Sequence, residues 1–307
     1  VTLPSEPGAS SPFRRLSLAP PSTVRSGSGA PGSGYWQQRA DYVIRATLDT
    51  ATRRLRGEET ITYTNNSPDT LRVVWRQVDQ NLFTDSSRGV TMFGSVPGSG
   101  PSAAGARPGN TESGVSILSV AQPASTTGKG KPAGDPTILR YLVNGTVMRV
   151  DLTRPLPPKG KQQLEVAWSF PFPVSPNRMG VEDVDGSAVF EAAQWYPRLA
   201  VYDDVRGWNT EQYYGRGEFY LEYGSFDVSL TVPADMLVAA TGTLRNPDEV
   251  LTAAQRARLE RARTSNETVI IRGKDEIGDP ASRPPTTYPT FTWRFTADSV
   301  RDFAWAA

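Results

Sequence analysis

The residues best suited to chemistry crowd into one stretch, Phe190-Glu191-Ala192-Ala193-Gln194-Trp195-Tyr196-Pro197-Arg198-Leu199-Ala200-Val201-Tyr202-Asp203-Asp204, continued by Gly207-Trp208-Asn209 and by Gly215-Arg216-Gly217-Glu218-Phe219. Trp and Tyr rings stack on sugars, and paired carboxylates can cleave a glycosidic bond, so one reading is a carbohydrate-binding face or a two-carboxylate hydrolase site. The plainer reading makes the aromatics core and interface, with Asp203-Asp204 shaping a turn toward Gly207. It carries more weight, because adjacent acids on a turn have no required separation.

Composition narrows the chemistry. The 307 residues contain no histidine and no cysteine. Ser/His/Asp triads, Cys/His pairs, His- or Cys-ligated zinc, haem with a proximal His, and disulfides are therefore closed to these residues. No catalytic residue and no metal ligand is expected among them. With 33 basic and 32 acidic side chains the net charge is +1, which argues against a nucleic-acid partner. Glu182-Asp183-Val184-Asp185-Gly186 has oxygen ligands at alternate positions but lacks the length and closing Glu of a calcium loop, so it reads as a surface turn. Arg256 to Arg263 reads as the solvated face of a helix.

The elements that must position these residues are mostly strands. With 27 Gly and 26 Pro, turns are frequent, and the 37% apolar content is enough for a core. Residues 1–34 form a Ser/Pro/Gly-rich tail, expected to be a flexible linker or to lie against a partner. Alternation predicts strands at Tyr42–Leu48, Leu55–Thr64 and Leu71–Val78, read as an antiparallel meander. An excursion at about 85–136 follows, broken by the apolar piece Val115–Val120. Ile138–Val143 and Thr146–Leu152 flank Asn144-Gly145, a hairpin signal. Gln163–Phe170, Glu218–Val232, Leu237–Gly242, Val269–Ile271 and Phe291–Phe295 complete the strands. One short helix near 247–263 is expected, with Asn246 as N-cap and Val250, Leu251, Ala254, Ala257 and Leu259 facing inward. The fold class is mainly β, an antiparallel β-sandwich or saddle-shaped pair of sheets.

Several motifs taken in order resemble the N-terminal β-domain of the aminopeptidase N-like (gluzincin) zinc metallopeptidases. They are Gly57-Glu58-Glu59-Thr60-Ile61-Thr62-Tyr63, Gln194-Trp195-Tyr196-Pro197-Arg198, Asp203-Asp204, Tyr223-Gly224-Ser225-Phe226-Asp227-Val228-Ser229-Leu230-Thr231-Val232-Pro233 and Val238-Ala239-Ala240-Thr241-Gly242. Tyr196-Pro197-Arg198 stands where that family commonly has Phe-Pro-Cys. Phe295–Ala306 looks like the strand that ends the domain. The resemblance covers residues 36–307, and the 85–136 excursion matches nothing in it. It implies that Glu191 and Gln194 contact a substrate's free amine. It also implies that zinc belongs to a following domain, since the family's His-Glu-x-x-His cannot be made here.

The organisation expected is therefore a tail, 1–34, and a β-domain, 35–307. The function expected is that of a non-catalytic structural or interaction module, an accessory subunit being one form of it. Two alternatives are the truncated front of an active zinc aminopeptidase and a carbohydrate-binding module. Protein partners are expected through the tail and the 85–136 excursion, and through Trp195, Tyr196, Arg198 and Trp208. No apolar run approaches the ~18 residues of a spanning helix, although association with a membrane complex is compatible with the reading. The start at Val1 suggests a segment of a longer product, and with it the resemblance, through its Tyr196-Pro197-Arg198 form, implies an extracytoplasmic location of bacterial type.

Overall fold

The computed structural model describes residues 20–84, 86–93, 114–124, 134–174, 178–215, 217 and 219–307. Two compact units divide the chain, Val1–Gln37 and Gln38–Ala307. In the first, part of the expected linker is locally folded. Arg25 bridges Pro31, Gly32 N–H donates to Val24 O at 2.8 Å, and the Arg25 guanidinium lies 5.1 Å from the Tyr35 ring centre. Residues 1–19 lie outside the described residues, as do 94–113 and 125–133 of the excursion.

The second unit runs β1 (Arg39–Asp49), β2 (Arg54–Thr64), β3 (Leu71–Gln77), α1 (Arg88–Phe93), β4 (Ser116–Gln122), β5 (Thr137–Ile138), β6 (Tyr141–Asn144), β7 (Val147–Leu156) and β8 (Lys161–Pro171). It continues with β9 (Met179–Val184), β10 (Ser187–Ala192), β11 (Arg198–Leu199), β12 (Tyr202–Asp203), β13 (Gly207–Trp208), β14 (Gly224–Pro233), β15 (Ala239–Ala240) and β16 (Thr243–Leu244). Helices α2 (Pro247–Val250) and α3 (Ala253–Ala262) precede β17 (Thr290–Val300) and β18 (Trp305–Ala306). The fold is mainly β, built from several antiparallel sheets. An eight-stranded sheet has the order β16-β17-β14-β1-β2-β8-β4-β5, and two four-stranded sheets have the orders β15-β18-β10-β9 and β11-β3-β7-β6. Within the large sheet β1 runs parallel to β14, and its other pairings are antiparallel.

Period-two alternation makes these strands. In β1, Tyr42, Ile44, Ala46 and Leu48 face the core while Val43, Arg45 and Thr47 face out. Leu55, Ile61 and Tyr63 of β2 face the same core, which Leu164, Val166, Trp168 and Phe170 of β8 extend. Gly57 is required by the Trp168 indole, since a Cβ there would sit 2.2 Å from its Cζ2.

Four expectations are corrected. First, the meander stops at β2, because β3 leaves for the β11-β3-β7-β6 sheet. The change of sheet is fixed at Asn65, fully buried, whose amide donates to Asp69 O, Leu156 O and Pro157 O while its Oδ1 accepts from Gln38 and Ser67. Second, the expected helix breaks at Leu251, which is extended. Thr252 caps α3 in a reciprocal box with Gln255, and Gln255 is its buried contact, whereas Ala254 and Ala257 are exposed. Asn246 stands at the N-cap position of α2 without capping; its amide reaches Glu249 and Thr292 O instead. Third, Val269–Ile271 is not a strand. The Ile271 carbonyl accepts from the Arg258 side chain, and Ile270 is exposed. Fourth, the regular strand begins at Gly224, and Glu218 lies outside the described residues.

The β6–β7 hairpin forms one residue later than its signal. Asn144 pairs with Val147, so Gly145 and Thr146 make the turn, with Gly145 at φ 56°. The apolar piece of the excursion becomes β4, paired with β8.

Candidate functional site

The stretch singled out in the sequence turns inward. Beyond β10 the chain enters the core, and Trp195, Tyr196 and Arg198 are 0%, 2% and 1% exposed. These side chains, expected to offer a partner surface, are enclosed by the unit's own residues. Trp195 Nε1 donates to Phe303 O at 2.7 Å, and its ring meets Trp168, Tyr196, Phe303 and Trp305 at centroid distances of 5.2–6.3 Å, mostly edge-on.

Arg198 sits on β11, paired with Gln77 of β3. Its guanidinium forms an ion pair with Asp79 and a second with Asp302 at 2.7 Å, and its central carbon lies 4.2 Å from the Phe219 ring centre. Tyr196 O–H donates to the other Asp302 oxygen at 2.7 Å, so one carboxylate ties two neighbouring residues of the stretch to the end of the chain. Burial raises the Asp79 pKa against the pull of Arg198. One strand position away, Arg76 of β3 donates to Glu59 of β2 and to Pro197 O. Both Arg76 and Glu59 side chains are 0% exposed. Burial pushes the Glu59 carboxyl up to about 7, with Arg76 pulling it down. Tyr42 O–H accepts from Leu199 N–H at 2.9 Å, and burial raises its pKa.

These contacts form an ion lattice joining β2, β3, the 3₁₀ turn Asp79–Phe83, β11 and the residues before β18. Sequence reasoning missed Glu59, Arg76, Asp79 and Asp302. A signal for the first two existed: the alternation Leu55, Gly57, Glu59, Ile61 puts Glu59 on the inner face, and Val74, Arg76 does the same for Arg76.

The other expected site residues are dispersed. Glu191 is exposed on β10, while Gln194 is buried, so the pair does not share one surface. Trp208 is half-buried on β13 against Tyr63 and Tyr202, at 6.0 and 5.2 Å. Asp203 shapes the turn before β13, accepting from Val205 N–H and Arg206 N–H, and Tyr220 O–H donates to its other oxygen at 2.9 Å. Half-buried Glu222 is pushed up to about 7, first by burial and then by Asp203. Asp185 and Gly186 form the β9–β10 turn, both at positive φ, with Asp183 accepting from Gly186 N–H; this is a hairpin turn, not a calcium loop.

The chain has no imidazole or thiol, and among the described residues no group of three or more acids converges as a ligand set. Among the described residues no helix is long and apolar enough to cross a membrane.

No known family model matches the chain, and no curated protein sequence matches it either. Solved structures that resemble it include an M1 zinc metallopeptidase variant from Deinococcus radiodurans bound to a Tyr-Ser-Ala substrate, at 13% identity and a TM-score of 0.44. That likeness covers 88% of this chain and 42% of the other. The M1 zinc metallopeptidase from the same organism gives 13% identity and a TM-score of 0.43 over 90% of this chain and 43% of the other. The chain thus spans less than half the length of these structures. A likeness at this level assigns neither activity nor substrate.

Proposed function

We propose that this chain is a non-catalytic β-domain, a structural or interaction module similar in its motifs to the N-terminal domain of the aminopeptidase N-like zinc peptidases. One observation carries the reading. The residues most suited to chemistry, Trp195, Tyr196 and Arg198, are buried and bound to Phe303, Asp302 and Asp79 within the same unit. A guanidinium held by two carboxylates and covered by a ring holds sheets together and has no face left for a ligand. Extracytoplasmic placement and service as an accessory subunit belong to this reading.

The motif order from Gly57 to Gly242 favours a second reading, the front of an active zinc aminopeptidase whose metal domain lies elsewhere in the parent protein. Both readings place bond cleavage outside these residues. The test is hydrolysis of an aminoacyl reporter by the purified 307-residue chain, with added zinc and with chelator. No turnover above background is expected. Chelator-sensitive turnover that tracks with the chain through purification would overturn the proposal.

A further inference from the structure

The outward face of the large sheet carries a groove that the function proposed above does not use. Its volume is about 700 Å³, and it lies over β17, β14, β1 and β2. Two neighbouring rows of side chains cross it. Cross-strand register aligns Arg294, Ser229, Arg45 and Glu58 in one row, and Thr292, Thr231, Thr47 and Arg56 in the next. Asp227 completes the charged lining. Strands stand about 4.8 Å apart, so these groups form a grid on that spacing.

The chemistry of the lining is uniform. Among the described residues it holds guanidiniums, carboxylates and hydroxyls with Ala46 and Gly57, and no aromatic or large aliphatic side chain. Arg45 and Arg56 are exposed and make no hydrogen bond or ion pair with another described residue, although Glu58 stands directly across from Arg45. Arg294 reaches out of the groove to Glu249 at 3.3 Å. The Thr231 and Thr292 hydroxyls bond each other at 2.8 Å.

Each feature removes a class of ligand. A peptide would lack the apolar anchor pockets that carry most peptide affinity. A neutral sugar would find no ring to stack on and would leave Arg45 and Arg56 unanswered. A bare polyanion would meet Glu58 and Asp227 as like charges. What remains is a ligand carrying both carboxylates and hydroxyls, the first for the guanidiniums and the second as donors to Glu58 and Asp227. We propose that this groove binds an acidic, uronate-type oligosaccharide, with Arg45 and Arg56 taking its carboxylates.

The experiment is calorimetric titration of the full chain with an oligogalacturonate, its methyl-esterified neutral counterpart, a glutamate oligopeptide and sodium sulfate. Binding of the oligogalacturonate alone, weakening as salt rises, is expected. The R45Q/R56Q double variant is expected to lose about tenfold or more in affinity. The E58A/D227A variant, which keeps no side-chain acceptor at either position, is expected to bind several-fold more weakly, because the sugar hydroxyls lose their partners; a simple anion site would instead bind more tightly. Arg140→Gln, exposed and remote from the groove, serves as the unchanged control. All these side chains are exposed, and a circular-dichroism spectrum matching the parent chain confirms that each variant is folded. No oligogalacturonate binding, equal binding of the neutral or peptide probe, sulfate binding at the same arginines, or an unaffected R45Q/R56Q variant would each overturn the proposal.

Discussion

Glu59 and Arg76 show how strongly a single pair can constrain this fold. Each is fully enclosed, and each is the other's counter-charge. A buried pair adds little net stability over an apolar pair of the same shape, but removing one member strands the other. Arg76→Met is therefore expected to lower unfolding free energy above pH 7 by about 3–5 kcal/mol, while the Arg76→Met/Glu59→Gln double variant recovers part of that loss. A urea double-mutant cycle reads the difference. Glu222 gives a pH signature. Its unfolded carboxyl titrates near 4.5 and its folded one near 7, raised first by burial. Between those values the native chain binds more protons than the unfolded chain, so stability falls as pH rises through the window and levels off above it. Glu222→Gln removes that loss. Its melting temperature should match the parent chain's near pH 4.5 and exceed it near pH 8. Equal temperatures at both pH values would refute the assignment.

At the scale of elements, local pattern and tertiary context divide the work. β1 and β2 were legible because Tyr42, Ile44, Ala46 and Leu48, then Leu55, Ile61 and Tyr63, alternate with polar residues. The exit of β3 to a different sheet was not legible, since it depends on Asn65 finding carbonyls at Leu156 and Pro157, far along the chain. The helix break was half-legible: Thr252-x-x-Gln255 is a capping box, but Leu251 and Ala254 continue an apolar pattern through it. The cap makes a prediction of its own. Thr252→Ala should cost about 1 kcal/mol in unfolding free energy, with hydrogen exchange rising first in the amides of α3. Val269–Ile271 pairs with no strand among the described residues, and its Ile271 carbonyl accepts from the Arg258 side chain instead.

Across the whole molecule, the same residue types that suggest a binding face in sequence make an interior. Trp195, Tyr196 and Arg198 stand out in the sequence, but their partners Phe303 and Asp302 lie about a hundred residues later, where no local signal connects them. Absence of histidine and cysteine, by contrast, was readable at once and bounds the chemistry of these 307 residues whatever the fold. The outer groove was legible only in part. Alternation put Arg45, Thr47, Arg56 and Glu58 on the polar face, but their alignment with Ser229, Thr231, Thr292 and Arg294 needed the parallel β1–β14 pairing.

The Arg198 lattice holds sheets together, and the urea unfolding free energy of Arg198→Met at neutral pH measures how strongly. A loss of about 3–5 kcal/mol is expected, because Asp79 is left buried without its counter-charge. A variant within about 0.5 kcal/mol of the parent chain would contradict it, since that is the range of substitutions on a free surface.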